Sequence, residues 1–203
     1  MTKFATYTRT ALLATAGLAL AAGLAGPVTG DPATTRTAPS VVQSAPAFVA
    51  PDTADKPTVE QLMPLGEPTN QSSFTPSAEQ MDNARKIIDA GKDMDLPPRA
   101  WTIAIATALQ ESKLENLGHL GERNDHDSQG LFQQRPSSGW GTVAQITDPD
   151  YSSKAFYKGL TQVDGWEDMP LTVAAQTVQV SAFPNHYAQW EKMAADIVTD
   201  VTK

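Results

Sequence analysis

Apolar positions recur at helical spacing through the C-terminal part of this chain, and no stretch alternates convincingly at period two. Met81, Ala84, Ile87, Ile88 and Gly91 fall on one face of a helix opened by Ser77, whose capping-box spacing to Gln80 marks the start. Pro97-Pro98 precede the run Ala100 to Leu109, which is apolar on nearly every side. A helix with no polar face belongs in the middle of a domain. Asp148-Pro149 open a further helix over Tyr151 to Val163, and Pro170 opens one carrying Leu171, Ala174, Ala175 and Val178. Tyr187, Trp190, Ala194, Ile197 and Val201 give the last. The pattern predicts an all-α domain of five to six helices around the central apolar helix, spanning residues 77–203. One domain of that size folds without disulfides.

The N-terminal part reads differently. Lys3 and Arg9 precede an Ala/Leu/Gly run from Ala11 to Gly26, then the small-residue stretch Val28-Thr29-Gly30, the order of a Sec-type signal peptide over residues 1–30. The apolar run is shorter than the roughly 20 residues a stable span needs, so no membrane span is expected after signal removal, with an uncleaved anchor as the alternative. The expected location is secreted, extracellular or cell-wall associated. Residues 31–76 are dense in Pro, Ala, Thr, Ser and Val without helical or alternating period, and they read as a disordered tether.

Charge and cysteine usage then exclude several classes. The chain carries a net charge of −8, and loss of the signal with its two basic residues would leave −10. An acidic surface of this kind excludes a nucleic-acid binder, and action on an anionic wall would rest on a groove rather than on bulk attraction. The absence of cysteine excludes a lipid-modified N-terminal thiol, a disulfide scaffold, thiolate metal sites and a cysteine nucleophile. No G-x-S-x-G elbow occurs. His119, Glu122, Asp125, His126 and Asp127 are dense in potential ligands, yet their order fits neither an EF-hand nor a zinc-protease helix, so no metal and no cofactor is expected.

The candidate chemistry lies where the apolar helix ends. Glu111 leaves it beside Ala104, Thr107 and Ala108, small neighbours that would leave room for a substrate. The negative end of the helix and apolar surroundings would both raise the pKa of this carboxyl and keep it protonated for donation. A surface glutamate pairing with Lys113 or Arg135 is the alternative. Asp127 and Asp125 in the polar loop are the candidates for a second carboxylate beside it; capping or pairing with Arg135 is the other reading of Asp127. Trp140, between Gly139 and Gly141, and Trp166 could each offer an aromatic face to a ligand or lie as lids over helix ends. Trp101, Phe156 and Trp190 read as core.

Glu111-Ser112 closing an apolar helix, followed by Gly130-Leu131-Phe132-Gln133 and Pro136-Ser137, resembles the lytic transglycosylases and goose-type lysozymes of the lysozyme-like superfamily, and looks like an exported actinobacterial member. The likeness covers roughly residues 101–137. It implies a lysozyme-like helical domain cutting the β-1,4 bond between N-acetylmuramic acid and N-acetylglucosamine, with glycan strands of peptidoglycan as partner and a monomeric state. Glu111 would act as general acid and then base, and Gln133 would take the sugar-contacting glutamine position, with Gln134, Asp125, Trp140 and Gln176 as further substrate contacts. One departure stands out: the family's Ala-Ala-Tyr-Asn is met here by Ala174-Ala175-Gln176-Thr177, so its tyrosine is missing and Gln176 or Gln179 would have to serve the sugar instead. The alternative function is a glycan-binding or cell-envelope scaffold domain that does not cut.

Overall fold

Three helix starts share one local device. Thr58, Ser77 and Thr142 each accept from the backbone N–H three residues on and receive their own backbone N–H into the side chain of Gln61, Gln80 and Gln145, closing reciprocal capping boxes. They open helix α1 (Val59–Leu62), helix α2 (Ala78–Lys92) and helix α4 (Val143–Ile146) in a computed structural model that describes residues 56–68, 70–124, 126–180 and 185–203. Proline at the first helical turn starts α3 (Pro98–Ser112) and α5 (Pro149–Leu160), and Asp148 caps the latter through the Tyr151 N–H. Helices α6 (Leu171–Gln179) and α7 (Glu191–Val201) complete the set, α7 entered through a 3-10 turn at Ala188–Trp190. Among the described residues there is no strand, and the all-α expectation holds. The signal segment and the first part of the expected tether lie outside the described residues.

Helix α3 is the axis of the domain. Ala100 and Ile103 to Ala106 have no exposed surface, and neither do Ala108 and Leu109, because α2, α5, α6 and α7 all pack against this one helix. Ala104, Thr107 and Ala108, expected to leave space for a substrate, are wholly covered instead. Their smallness lets neighbouring helices approach, and Thr107 satisfies its hydroxyl on the Ile103 carbonyl at 2.7 Å.

The tether expected up to residue 76 ends earlier. Leu62 and Met63 are buried, and the Leu62 carbonyl accepts from Arg99 Nη1 at 2.8 Å. Residues 71–74 form an extended strap along the entrance to α7. Ser72 N–H donates to the Gln189 carbonyl at 2.7 Å, the Gln71 amide donates to the Ala188 carbonyl at 2.9 Å while accepting from Lys192 N–H at 2.8 Å, and Phe74 meets Trp190 edge-on at 6.1 Å. An extended segment held by partners more than a hundred residues away leaves no periodic trace in sequence.

Arg99 locks this arrangement from inside. Its guanidinium pairs with Glu191 at 2.6 Å, both side chains nearly fully buried, and also donates to the carbonyls of Leu62 and Met169. Three segments therefore converge on one cation carried by α3.

Candidate active site

Glu111 sits in the last turn of α3, half-buried. Its Oε1 accepts a hydrogen bond of 2.6 Å from the phenol of Tyr187, a side chain with no exposed surface. A buried tyrosine hydroxyl needs a partner, and this one meets it on the candidate acid. Partial burial pushes the neighbouring Lys113 ammonium below the ordinary lysine range, while the charge of Glu111 pulls it back up.

The chain reverses sharply just past Glu111. Lys113 and Leu114 are successive non-glycine residues in the left-handed region, at φ 57° and 64°. Such backbone is costly, and the surroundings over-determine it. Leu114 is fully buried, its carbonyl accepts from the Asn83 amide at 2.9 Å, and the Lys113 carbonyl accepts from the Gln80 amide at 2.8 Å. Helix α2 thus holds the end of α3 in place. On the other side Ser112 Oγ, buried, lies 2.8 Å from the Leu131 carbonyl and 3.1 Å from that of Ala108.

That serine ties the helix end to the Gly130–Gln134 turn. Gln129 and Gln134 form an antiparallel bridge, and Gly130, at φ 78°, packs so closely on α4 that an added Cβ would stand 2.1 Å from the Ile146 carbonyl oxygen. Only glycine fits there. The Phe132 carbonyl accepts from the Gln179 amide at 2.9 Å, and its ring stacks on Phe156 at 5.0 Å between centroids. The turn is a packed element beside the helix end.

The expected site residues separate into two groups. Glu111 ends α3, while Gln133 lies in the turn that Ser112 ties to that end; Gln133 is half-buried at φ 47°, its amide folded onto the Gly130 carbonyl at 3.0 Å. Gln134 is not a substrate contact, because it is 1% exposed and its amide donates to the Ser152 carbonyl on α5. Asp127 is a brace: its two oxygens accept from the Ser137 N–H at 2.8 Å and the Ser137 hydroxyl at 2.7 Å, which with nearby Arg135 holds its carboxyl below the ordinary aspartate range. Asp125 lies outside the described residues. Trp140 is half-buried against the core, and Trp166 is covered. Gln176 lies half-buried on α6, with its Oε1 shielded from solvent, while Gln179 is engaged by Phe132. Phe156 and Trp190 are core as expected, whereas Trp101 is only half covered.

Glu111 lines neither of two grooves found elsewhere, about 290 Å³ between the Gln71–Pro76 strap and α7, and about 210 Å³ between Ser77–Gln80 and Leu114–Leu117. Tyr187 is the site residue the sequence reading missed. Helical spacing assigned it to the last helix, but it precedes the 3-10 turn and reaches back to α3. A tyrosine followed three residues on by a buried tryptophan was the available signal; Trp190 itself donates through Nε1 to Gln110 Oε1 at 2.9 Å.

If Asp127 is a brace alone, Asp127→Asn leaves any chemistry at Glu111 within a few-fold of the unaltered protein. Its lowered carboxyl carries a pH signature as well. The folded-state value lies below the unfolded one, so the stabilisation is present above the ordinary aspartate range and is lost as pH falls through the lowered folded value. Melting temperature followed downward from pH 6 should therefore show an acid-dependent loss that Asp127→Asn lacks.

The fold and the site define a class in plain terms: among the described residues, a strand-free helical domain with a tyrosine-held carboxyl at the end of its central helix. No protein-family model matches the chain, and no curated protein matches it.

Proposed function

We propose that this protein is an exported peptidoglycan-cleaving glycosidase acting on the bond between N-acetylmuramic acid and N-acetylglucosamine, with Glu111 as its acid and then its base. The observation that carries the reading is the 2.6 Å hydrogen bond from buried Tyr187 to half-buried Glu111. A glutamate in the last turn of an ordinary helix hydrates freely; this one accepts from a phenol that has no exposed surface. The family tyrosine missing at Gln176 has its chemical counterpart in Tyr187, donated from a different segment. That weakens the non-cutting scaffold alternative, which rested on the missing tyrosine.

The mechanism favoured is that of a lytic transglycosylase. Glu111 donates its proton to the glycosidic oxygen as the bond to the anomeric carbon breaks. The carboxylate so formed takes the proton of the muramic 6-hydroxyl, whose oxygen closes on the same carbon to give a 1,6-anhydro sugar. No water enters and no second carboxylate is required, which suits a site where Asp127 is committed to Ser137.

Purified wall sacculi treated with the protein should release soluble fragments ending in anhydro-muramyl groups by mass analysis. Reducing ends would assign hydrolysis, and wall retention without release would support a binder. Tyr187→Phe removes one hydrogen bond to a charged acceptor, worth about 1.5–3 kcal/mol to the fold, so the melting temperature should fall by roughly 5–10 °C, and turnover measured well below that melting point should fall about 10-fold or more as Glu111 loses its orientation. Full turnover in that variant would remove Tyr187 from the mechanism.

A further inference from the structure

The turn that carries Tyr187 is tied down carbonyl by carbonyl. The His186 carbonyl, on the peptide group that enters Tyr187, accepts from the Gln189 amide at 3.0 Å, and the Tyr187 carbonyl accepts from the Trp190 N–H at 3.0 Å. The strap takes the next two: the Ala188 carbonyl accepts from the Gln71 amide at 2.9 Å, and the Gln189 carbonyl from the Ser72 N–H at 2.7 Å. Side chains then fasten the turn to α3. Gln189 Nε2 also donates to Gln110 Oε1 at 3.1 Å, and Trp190 Nε1 donates to the same oxygen at 2.9 Å, so two groups of the turn meet on the residue immediately before Glu111. Ser72 Oγ donates to Gln189 Oε1 at 2.8 Å. The one amide of Gln189 thus engages its own turn, α3 and the strap, through donor and acceptor together.

We propose that Gln189 is a positioning residue for the acid step, a role that rests on the reading of Glu111 as a proton donor: its amide clamps the turn carrying Tyr187 to Gln110, and Ser72 of the strap holds that amide in place. The phenol then meets Glu111 Oε1 at 2.6 Å from a turn whose register along α3 is fixed. An amide of this length is what the clamp requires. A glutamate would keep the acceptor for Ser72 and lose both donations, and an asparagine is one carbon short. Geometry is the route by which the clamp reaches the rate, because a hydrogen bond weakens steeply with misalignment and a reacting group displaced by about 1 Å loses much of its effect. The strap therefore belongs to the working unit, although it lies ahead of Ser77, where the helical period of α2 begins.

The test is a double-mutant cycle in the full chain, read by wall cleavage and by carbon NMR of protein labelled at the tyrosine Cζ, with the Tyr187 resonance assigned by its disappearance in Tyr187→Phe. Gln189→Met, which keeps the length and loses the amide, should move that resonance toward the value of tyrosine free in water and lower turnover about 3- to 10-fold with KM little changed. Combined with Tyr187→Phe it should lower turnover no further, because Gln189 acts through the phenol; a merely structural residue would add its full loss in either background. Ser72→Ala should move the resonance the same way by less, and Ser72→Thr, which keeps the hydroxyl, should hold it in place. An unmoved Tyr187 resonance in Gln189→Met overturns the proposal, and so do additive losses in the double variant. If Gln189→Met does not fold, the Ser72 pair decides: a resonance that Ser72→Ala leaves unmoved overturns the proposal equally. A resonance that moves as expected while not even the unaltered protein cleaves wall keeps the clamp and defeats the glycosidase reading instead, so the two failures are separable.

Discussion

Glu111→Gln should cut release of soluble wall fragments by about 10²- to 10⁴-fold, the usual contribution of a positioned general acid. The substitution is chosen because it changes little else. A glutamine keeps the carbonyl oxygen that Tyr187 donates to at 2.6 Å, so the phenol stays satisfied and the packing around it is preserved. What is lost is the proton and the negative charge that must reclaim one. Melting temperature should stay within a few degrees of the unaltered protein, and binding to insoluble wall should persist. Equal fragment release by both proteins would show that the cutting group lies elsewhere, whatever the position of Glu111.

The second large effect is on stability. Glu191→Ala leaves the Arg99 guanidinium buried at 4% exposure without its carboxylate, and removal of one partner from a buried pair costs about 3–5 kcal/mol. For a domain of this size that is a fall of roughly 10 °C or more in melting temperature. The loss should exceed that of Arg99→Met combined with Glu191→Leu, because the double change removes the uncompensated charge while keeping volume. Calorimetry on the three proteins decides it; a single variant no worse than the double would mean that solvent reaches Arg99 and hydrates it. The cost is structural in origin, since this cation also holds the Leu62 and Met169 carbonyls and so ties the first described segment and the approach to α6 onto α3 and α7.

Helix starts were legible because they are local. Ser77 to Gln80 and the prolines at 97–98, 149 and 170 act within one turn of chain, and the helices begin where those signals stand. The same logic exposes an oversight: Thr58-x-x-Gln61 carries the spacing of Ser77-x-x-Gln80 but lies in a Pro- and Thr-rich stretch, where composition spoke louder than the cap. Gln133 and Gln134 show a different limit. Adjacent glutamines look equivalent in a motif, yet the left-handed backbone at Gln133 and the bridge to Gln129 send Gln134 into the core. Trp166 and Asp127 were ambiguous for a similar reason, since burial and a hydroxyl partner ten residues away are properties of the folded surface.

What the chain determined by itself is the helical class, the central position of the Ala100–Leu109 run and the emergence of a single carboxylate from its end, because periodicity and all-round apolarity act through the nearest residues. Tertiary structure decided which groups meet that carboxylate. Tyr187 lies 76 residues from Glu111, Leu131 lies 19 from Ser112, and the Gln71–Ser72 strap lies 117 from the residues it binds. Such pairings depend on how helices pack side by side, and packing is set by the complementarity of whole faces rather than by any short run of sequence.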